Sequence, residues 1–99
     1  MAADELIHQP LRLRLMTTLY VERDGEPLEF NNIKRIVDAT DGNLGSHLST
    51  LEKAGYVKIM KDFAGKKPRT RAGITPAGAR AYRDHVSYLR DLLDAIERE

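Results

Sequence analysis

Basic side chains are concentrated in the middle of this 99-residue chain, although its formal net charge is only +1. From Phe30 to Thr75, nine Lys or Arg residues stand against four Asp or Glu residues, so the flanking segments are net acidic. Between Lys58 and Arg71, six basic residues accompany a single acidic one, Asp62. Such a segment favours contact with a polyanion. A solvated basic loop is the alternative, and charge alone does not decide between them.

Other chemistries lack the residues that they need. The absence of cysteine excludes disulfides, thiolate metal sites and cysteine nucleophiles. The three histidines, His8, His47 and His85, lack the i, i+4 spacing of helical metal ligands, so we expect neither a metal site nor another cofactor. No P-loop, nucleophile motif or pair of catalytic carboxylates is present, so we do not expect an enzyme.

Hydropathy points away from membranes and secretion. Uninterrupted apolar stretches reach only two or three residues, far short of a membrane span. Residues 1–5 contain neither a basic region nor an apolar core, so a secretory signal is not expected. With 41% hydrophobic residues, the sequence predicts a cytoplasmic protein that folds as one domain, residues 1–99, around a small core.

Apolar periodicity predicts the elements that precede the basic segment. Residues 6–20 have a helical pattern, with a break or a helix start near Pro10. A polar turn leads to a very short strand at 28–30. A short helix over residues 31–39 follows, and its apolar side is formed by Ile33, Ile36 and Val37.

A second short helix is predicted from about residue 41 to residue 54. Its apolar face consists of Leu44, Leu48 and Leu51, Thr40 or Asp41 caps its start, and Gly55 caps its end. Two short helices joined by a tight turn form a candidate helix-turn-helix.

The basic segment itself is predicted to form a β-hairpin over residues 56–75, with a connection of five or six residues. Thr75 and Pro76 are typical of a helix start, and this last helix is predicted to run to about residue 98. The sequence therefore predicts a mainly α fold with a small β-hairpin (α+β): a winged helix-turn-helix with a long C-terminal helix.

Two stretches resemble small winged-helix transcriptional regulators of the MarR and ArsR classes. Residues 41–57 have the polar turn, the His-Leu pair and the Gly–aromatic–Val exit of that family, and residues 74–78 match its strand-to-helix step. Residues 12–16 match the start of the first helix more weakly. The resemblance spans about residues 6–93 and implies sequence-specific binding of double-stranded DNA by a homodimer.

In such a regulator, the second helix of the helix-turn-helix reads base edges in the major groove. The exposed polar candidates are Asn43, Ser46, His47, Ser49 and Thr50. We expect no Lys or Arg on that face, and therefore a base specificity that is limited or assisted by DNA shape. A merely solvated face is the alternative. For His47, a phosphate contact and a structural hydrogen bond to the backbone both remain open.

The hairpin, or wing, is expected to contact phosphates and, at its tip, an A·T-rich minor groove. The residues predicted for these contacts are Lys61, Lys66, Lys67, Arg69 and Arg71. Further backbone contacts are predicted for Arg12, Arg14, Lys34 and Arg35, with surface salt bridges as the alternative for the first two.

The last helix has a heptad-like seam, which predicts dimerisation through a two-fold axis. Its residues are Tyr82, Val86, Leu89, Leu93 and Ile96, widened by Tyr88 and Leu92. The alternative is a helix that only folds back on its own domain. If a small-molecule effector exists, it would bind at the dimer interface. The alternative function is a winged-helix protein-interaction module without direct DNA readout.

Overall fold

The computed structural model describes residues 3–98, and this part of the chain contains five helices and three strands. In chain order they are α1 (Glu5–His8), α2 (Pro10–Val21), β1 (Leu28–Glu29), α3 (Phe30–Val37), α4 (Asp41–Lys53), β2 (Val57–Ala64), β3 (Lys67–Ile74) and α5 (Pro76–Glu97). The predicted order of elements is confirmed.

Capping side chains fix where the helices begin. The Asp4 carboxylate accepts hydrogen bonds from the backbone N–H groups of Leu6 and Ile7, which starts α1. The Gln9 side chain caps α2, whose first residue is Pro10, so the predicted break there is confirmed. Thr75 caps α5 through the N–H of Gly78, again with a proline in the first turn.

The three strands form an antiparallel sheet in the order β1-β3-β2. Strands β2 and β3 pair over their whole lengths and are joined by only two residues, Gly65 and Lys66, so the predicted longer connection is wrong. Gly65 has a φ of 65° at the first central position of the turn, which suits a tight hairpin. Pro68 is tolerated in β3 because it lies beyond the short β1.

One hydrophobic core is shared by α1, α2, α3, α4 and the base of the sheet. Its largest fully buried apolar side chains are Ile7, Leu15, Met16, Leu19, Ile33, Leu44, Leu48 and Leu51. Ile36 was expected beside Ile33 and Val37 but is exposed, because the short α3 contacts the core along only a narrow stripe. No helix within residues 3–98 combines the length and apolar character needed to cross a membrane.

Candidate nucleic-acid interface

Helix α4 is held at both ends and along one face. The Asn43 N–H donates to Thr40 Oγ1 at 3.1 Å, and this hydrogen bond caps the start of the helix. At the other end Gly55 adopts a φ of 81°, and the Tyr56 N–H donates to the Leu51 carbonyl at 3.0 Å. Leu44, Leu48 and Leu51 are buried, so the opposite face of α4 points away from the core.

The predicted base-reading residues are not equivalent. Asn43 and Ser46 are exposed, whereas Ser49 and Thr50 are half-buried. The Thr50 hydroxyl donates to the Ser46 carbonyl at 3.1 Å, so its proton is already used within the helix. Lys53 is exposed seven residues after Ser46 and therefore lies on the same face. The expectation that this face lacks a lysine is wrong at its C-terminal end.

His47 lies between α4 and α2 rather than on the outer face. It is half-buried, and its Nδ1 is 3.4 Å from Nη1 of Arg12. Burial, and then the charge of the Arg12 guanidinium, lower the pKa of His47 from its ordinary value of 6.5. The geometry therefore favours a structural role for His47. Its partner is the side chain of Arg12, and not a backbone group as the sequence had suggested.

A cleft of about 770 Å³ separates α4 from the hairpin β2–β3. Gly45, Ser49 and Glu52 line it on the helix side, and Lys61 and Thr70 line it on the hairpin side. Glu29 and Phe30 also contribute to its wall. The cleft thus contains acidic as well as basic groups, a feature that the counts of charge along the sequence did not show.

The two arginines of the wing are paired with Asp62. The Asp62 carboxylate accepts two hydrogen bonds from Arg69 at 2.9 Å and one from Arg71 at 3.0 Å. The hydrogen bonds from Arg69 above all lower the pKa of Asp62, and the same contact raises the pKa of Arg69. Arg69 and Arg71 were predicted as phosphate contacts, but one carboxylate neutralises half of their combined charge.

The lysines of the wing differ from its arginines. Lys61, Lys66 and Lys67 are exposed and make no salt bridge among the described residues. Lys66 is in the turn, and Lys67 begins β3, so both lie at the tip. Lys34, by contrast, forms a 2.7 Å ion pair with Asp41, which ties α3 to α4. The tip lysines are therefore exposed charges that are available to a phosphate backbone.

Helix α5 divides into a half that packs on its own domain and a half that protrudes. The Tyr82 hydroxyl is 2.9 Å from Thr17 Oγ1, and its ring lies 4.7 Å from that of Tyr20. Tyr82 therefore belongs to the intramolecular contact. Val86 and Leu89 are half-buried. Further along, Leu93 and Ile96 are 57% and 59% exposed.

The sequence of the chain matches a known family. Residues 11–93 match the family described as the winged helix DNA-binding domain. The chain belongs to this family. An uncharacterized protein of Methanocaldococcus jannaschii is 30% identical over 93 residues, which are 94% of this chain and 98% of that protein.

Solved structures of winged-helix proteins share this fold. A transcriptional regulator homologue from Pyrococcus horikoshii is 33% identical, with a TM-score of 0.85 over 94% of this chain and 89% of its own. The MepR–DNA complex of Staphylococcus aureus is 18% identical, with a TM-score of 0.74 over 96% and 78%. The predicted resemblance to small winged-helix transcriptional regulators is confirmed, and the protein is a DNA-binding regulator of this family.

Proposed function

We propose that this winged-helix protein is a single-domain homodimer that binds specific sites in double-stranded DNA and thereby regulates transcription. One geometric feature supports this proposal above all: Ser49 of α4 and Lys61 of the wing border the same cleft, and the tip lysines lie beyond it. The proposal includes no catalytic step and no cofactor. Its proposed site of action is the cytoplasm.

In the proposed complex, α4 enters the major groove and the wing follows the adjacent backbone. Asn43 and Ser46, in the exposed first turns of α4, contact base edges, because Asn pairs with adenine and Ser accepts several bases. Lys61, Lys66 and Lys67 contact phosphates, which fix the register without reading sequence. MepR, which has the same fold, has been solved in complex with DNA.

The protruding half of α5 supports a dimer. At 100° per residue, Leu92 and Ile96 lie on the same side of the helix as the buried His85, so the apolar face continues past the edge of the domain. The 22 residues of α5 span about 33 Å. A two-fold pairing of such helices suits the separation of about 34 Å between successive major grooves on one side of DNA.

Selection from a library of randomised 30-base-pair duplexes tests the proposed DNA readout. We expect enrichment of a pseudo-palindrome with half-sites about one helical turn apart, because a two-fold dimer presents two α4 helices. Enrichment of no motif, with binding that only follows salt concentration, would contradict sequence-specific recognition.

A pair of double variants tests the dimer. Leu93→Asp with Ile96→Asp places two like charges from each chain in the proposed interface, so we expect a folded monomer by light scattering and circular dichroism. Asp91→Ala with Asp94→Ala changes exposed polar residues of the same turns and should leave the dimer intact. A wild-type protein that is monomeric at micromolar concentration would refute the homodimer.

The alternative, a protein-interaction module, gains support from the acidic groups near the cleft. Glu29 and Glu52 line the cleft. Asp62 forms ion pairs with Arg69 and Arg71 of the wing, so the positive potential of this surface is weaker than the sequence predicted. The duplex selection separates the two functions. A module that binds only proteins would enrich no DNA motif and show no measurable affinity for duplexes at low salt.

A further inference from the structure

Phe63 is an aromatic residue that the domain does not cover. Its side chain is 68% exposed near the end of β2, whereas the other five aromatic residues of the chain are half-buried. Pro68 lies directly opposite it in the sheet register and is also exposed. An exposed phenylalanine in a hairpin closed by a two-residue turn adds nothing to the core, so its ring is available to a partner.

The pleat of the sheet determines which way Phe63 faces. Alternate residues of a strand share a face, so Phe63 is on the same face as Ile59 and Lys61. Ile59 packs against the core, and Lys61 lines the cleft beside α4. Asp62 is one residue before Phe63, so its side chain lies on the opposite face of the sheet. Arg69, directly across from Asp62 in β3, is on that same face. The ring therefore extends the cleft-lining face by about 13 Å beyond Ile59.

The charges around Phe63 identify the class of partner. Lys61 precedes Phe63 on the same face of β2, and Lys66 follows it in the turn; both are exposed and make no salt bridge among the described residues. The partner must therefore be apolar where it meets the ring and anionic on both sides of it. The minor groove of duplex DNA has this pattern, because phosphates flank its sugars and base edges, and apolar side chains inserted there unstack base steps.

We propose that Phe63 is an apolar wedge that enters the minor groove next to the major groove occupied by α4, where its ring contacts sugars and opens one base step. This inference rests on the proposed DNA-binding function. The wedge gives the complex a second source of sequence preference besides α4, because flexible pyrimidine–purine steps open more easily than stiff ones. DNA bound by the protein is then bent, whereas phosphate contacts alone leave it close to straight.

Two wing variants distinguish the wedge from ordinary phosphate contact. The probe is a 30-base-pair duplex obtained by selection with the wild-type protein, labelled at both ends for resonance energy transfer. Phe63→Ala should lower the affinity about tenfold or more and reduce the bend, and it should leave the salt slope unchanged because the ring is uncharged. Lys66→Ala should lower the salt slope by about 0.9 and leave the bend unchanged. Phe63→Leu, which keeps an apolar wedge, should retain part of the bend.

The outcomes separate this inference from the proposed function. Wild-type protein that binds no duplex contradicts both. Wild-type binding with unchanged affinity and bend in Phe63→Ala overturns the wedge alone, as does a Phe63→Ala variant whose salt slope falls with its affinity. A variant that binds DNA normally but loses self-association also overturns the wedge, because the ring would then contact a second copy. Thermal unfolding checks that Phe63→Ala is folded, which its exposure leads us to expect.

Discussion

Gly78 provides a sharp test of how α5 is attached to the rest of the domain. It lies in the first turn of α5 and is buried against the segment that leaves α4. A Cβ at this position would lie 2.8 Å from the carbonyl carbon of Tyr56, closer still to its oxygen, and 3.0 Å from Cγ1 of Ile74. Thr75 holds the same segment through its N–H, which donates to the Tyr56 carbonyl at 3.0 Å.

The cost of Gly78→Ala follows from these contacts. The backbone of Tyr56 must move away from α5, and such overpacking typically costs about 1–3 kcal/mol. Weakening the Thr75 hydrogen bond adds about 1 kcal/mol. The higher helix propensity of alanine offsets about 1 kcal/mol. We therefore expect a net loss of about 1–3 kcal/mol, and a Tm lower by about 4–24 °C for a domain of this size.

Gly45→Ala is the matched control. Gly45 is exposed in the middle of α4, and a Cβ there would meet nothing within 4 Å. Its replacement should raise stability by about 0.5–1 kcal/mol, because alanine is the better helix former. Urea unfolding at one fixed protein concentration measures both variants, so that the proposed dimerisation affects them equally. Gly78→Ala protein as stable as the wild type would refute the close packing at Tyr56.

Three further predictions concern the interface and the buried histidine. Alanine at both Lys66 and Lys67 should lower the salt slope of binding to random duplexes by about 1.8, at about 0.9 per phosphate contact; an unchanged slope would show that the tip does not touch DNA. Asn43→Ala or Ser46→Ala should reduce discrimination against a mutated half-site by about 1–3 kcal/mol and spare binding to random DNA; equal losses on both would mean that these residues only position the protein. Burial above all lowers the pKa of His85 in the folded protein from its ordinary value of 6.5. The unfolded chain therefore binds a proton at His85 at a higher pH than the folded protein does, and the free energy of unfolding should fall as the pH drops below about 6.5. His85→Gln should flatten that fall in urea unfolding between pH 7 and pH 5, and a fall of unchanged size would assign it to other groups.

Local signals in the sequence were sufficient for the helices and the order of elements. The start of α4 at Thr40 and its end at Gly55 depend on capping groups within a few residues, which a sequence displays directly. The leucine spacing in α4 likewise reflects a single helix face. These features were predicted correctly because each is determined by neighbouring residues.

Features that depend on register or on distant partners were missed. The pairing of Asp62 with Arg69 requires a two-residue turn at Gly65 and Lys66, whereas the lysines and Pro68 made this stretch resemble a longer loop. The exposure of Ile36 and the packing of Tyr82 against α2 follow from helix contacts that periodicity does not contain. Periodicity finds an apolar side chain but does not say which neighbour covers it.

The position of α4 is tied to that of α5 through Tyr56, although the two helices belong to different parts of the proposed function. The Tyr56 carbonyl accepts a hydrogen bond from Thr75 at the start of α5, and its hydroxyl donates to the Asp4 carboxylate at 2.8 Å. The Asp4 N–H in turn donates to Nδ1 of His85, which is only 1% exposed on α5. Because both ends of Tyr56 are fastened to α5 or its contacts, a rotation of α5 within a dimer carries the end of α4 with it. In the proposed dimer, the geometry of the α5 pairing therefore sets the spacing of the two α4 helices, and a DNA site with altered half-site spacing must strain these hydrogen bonds or lose one half-site.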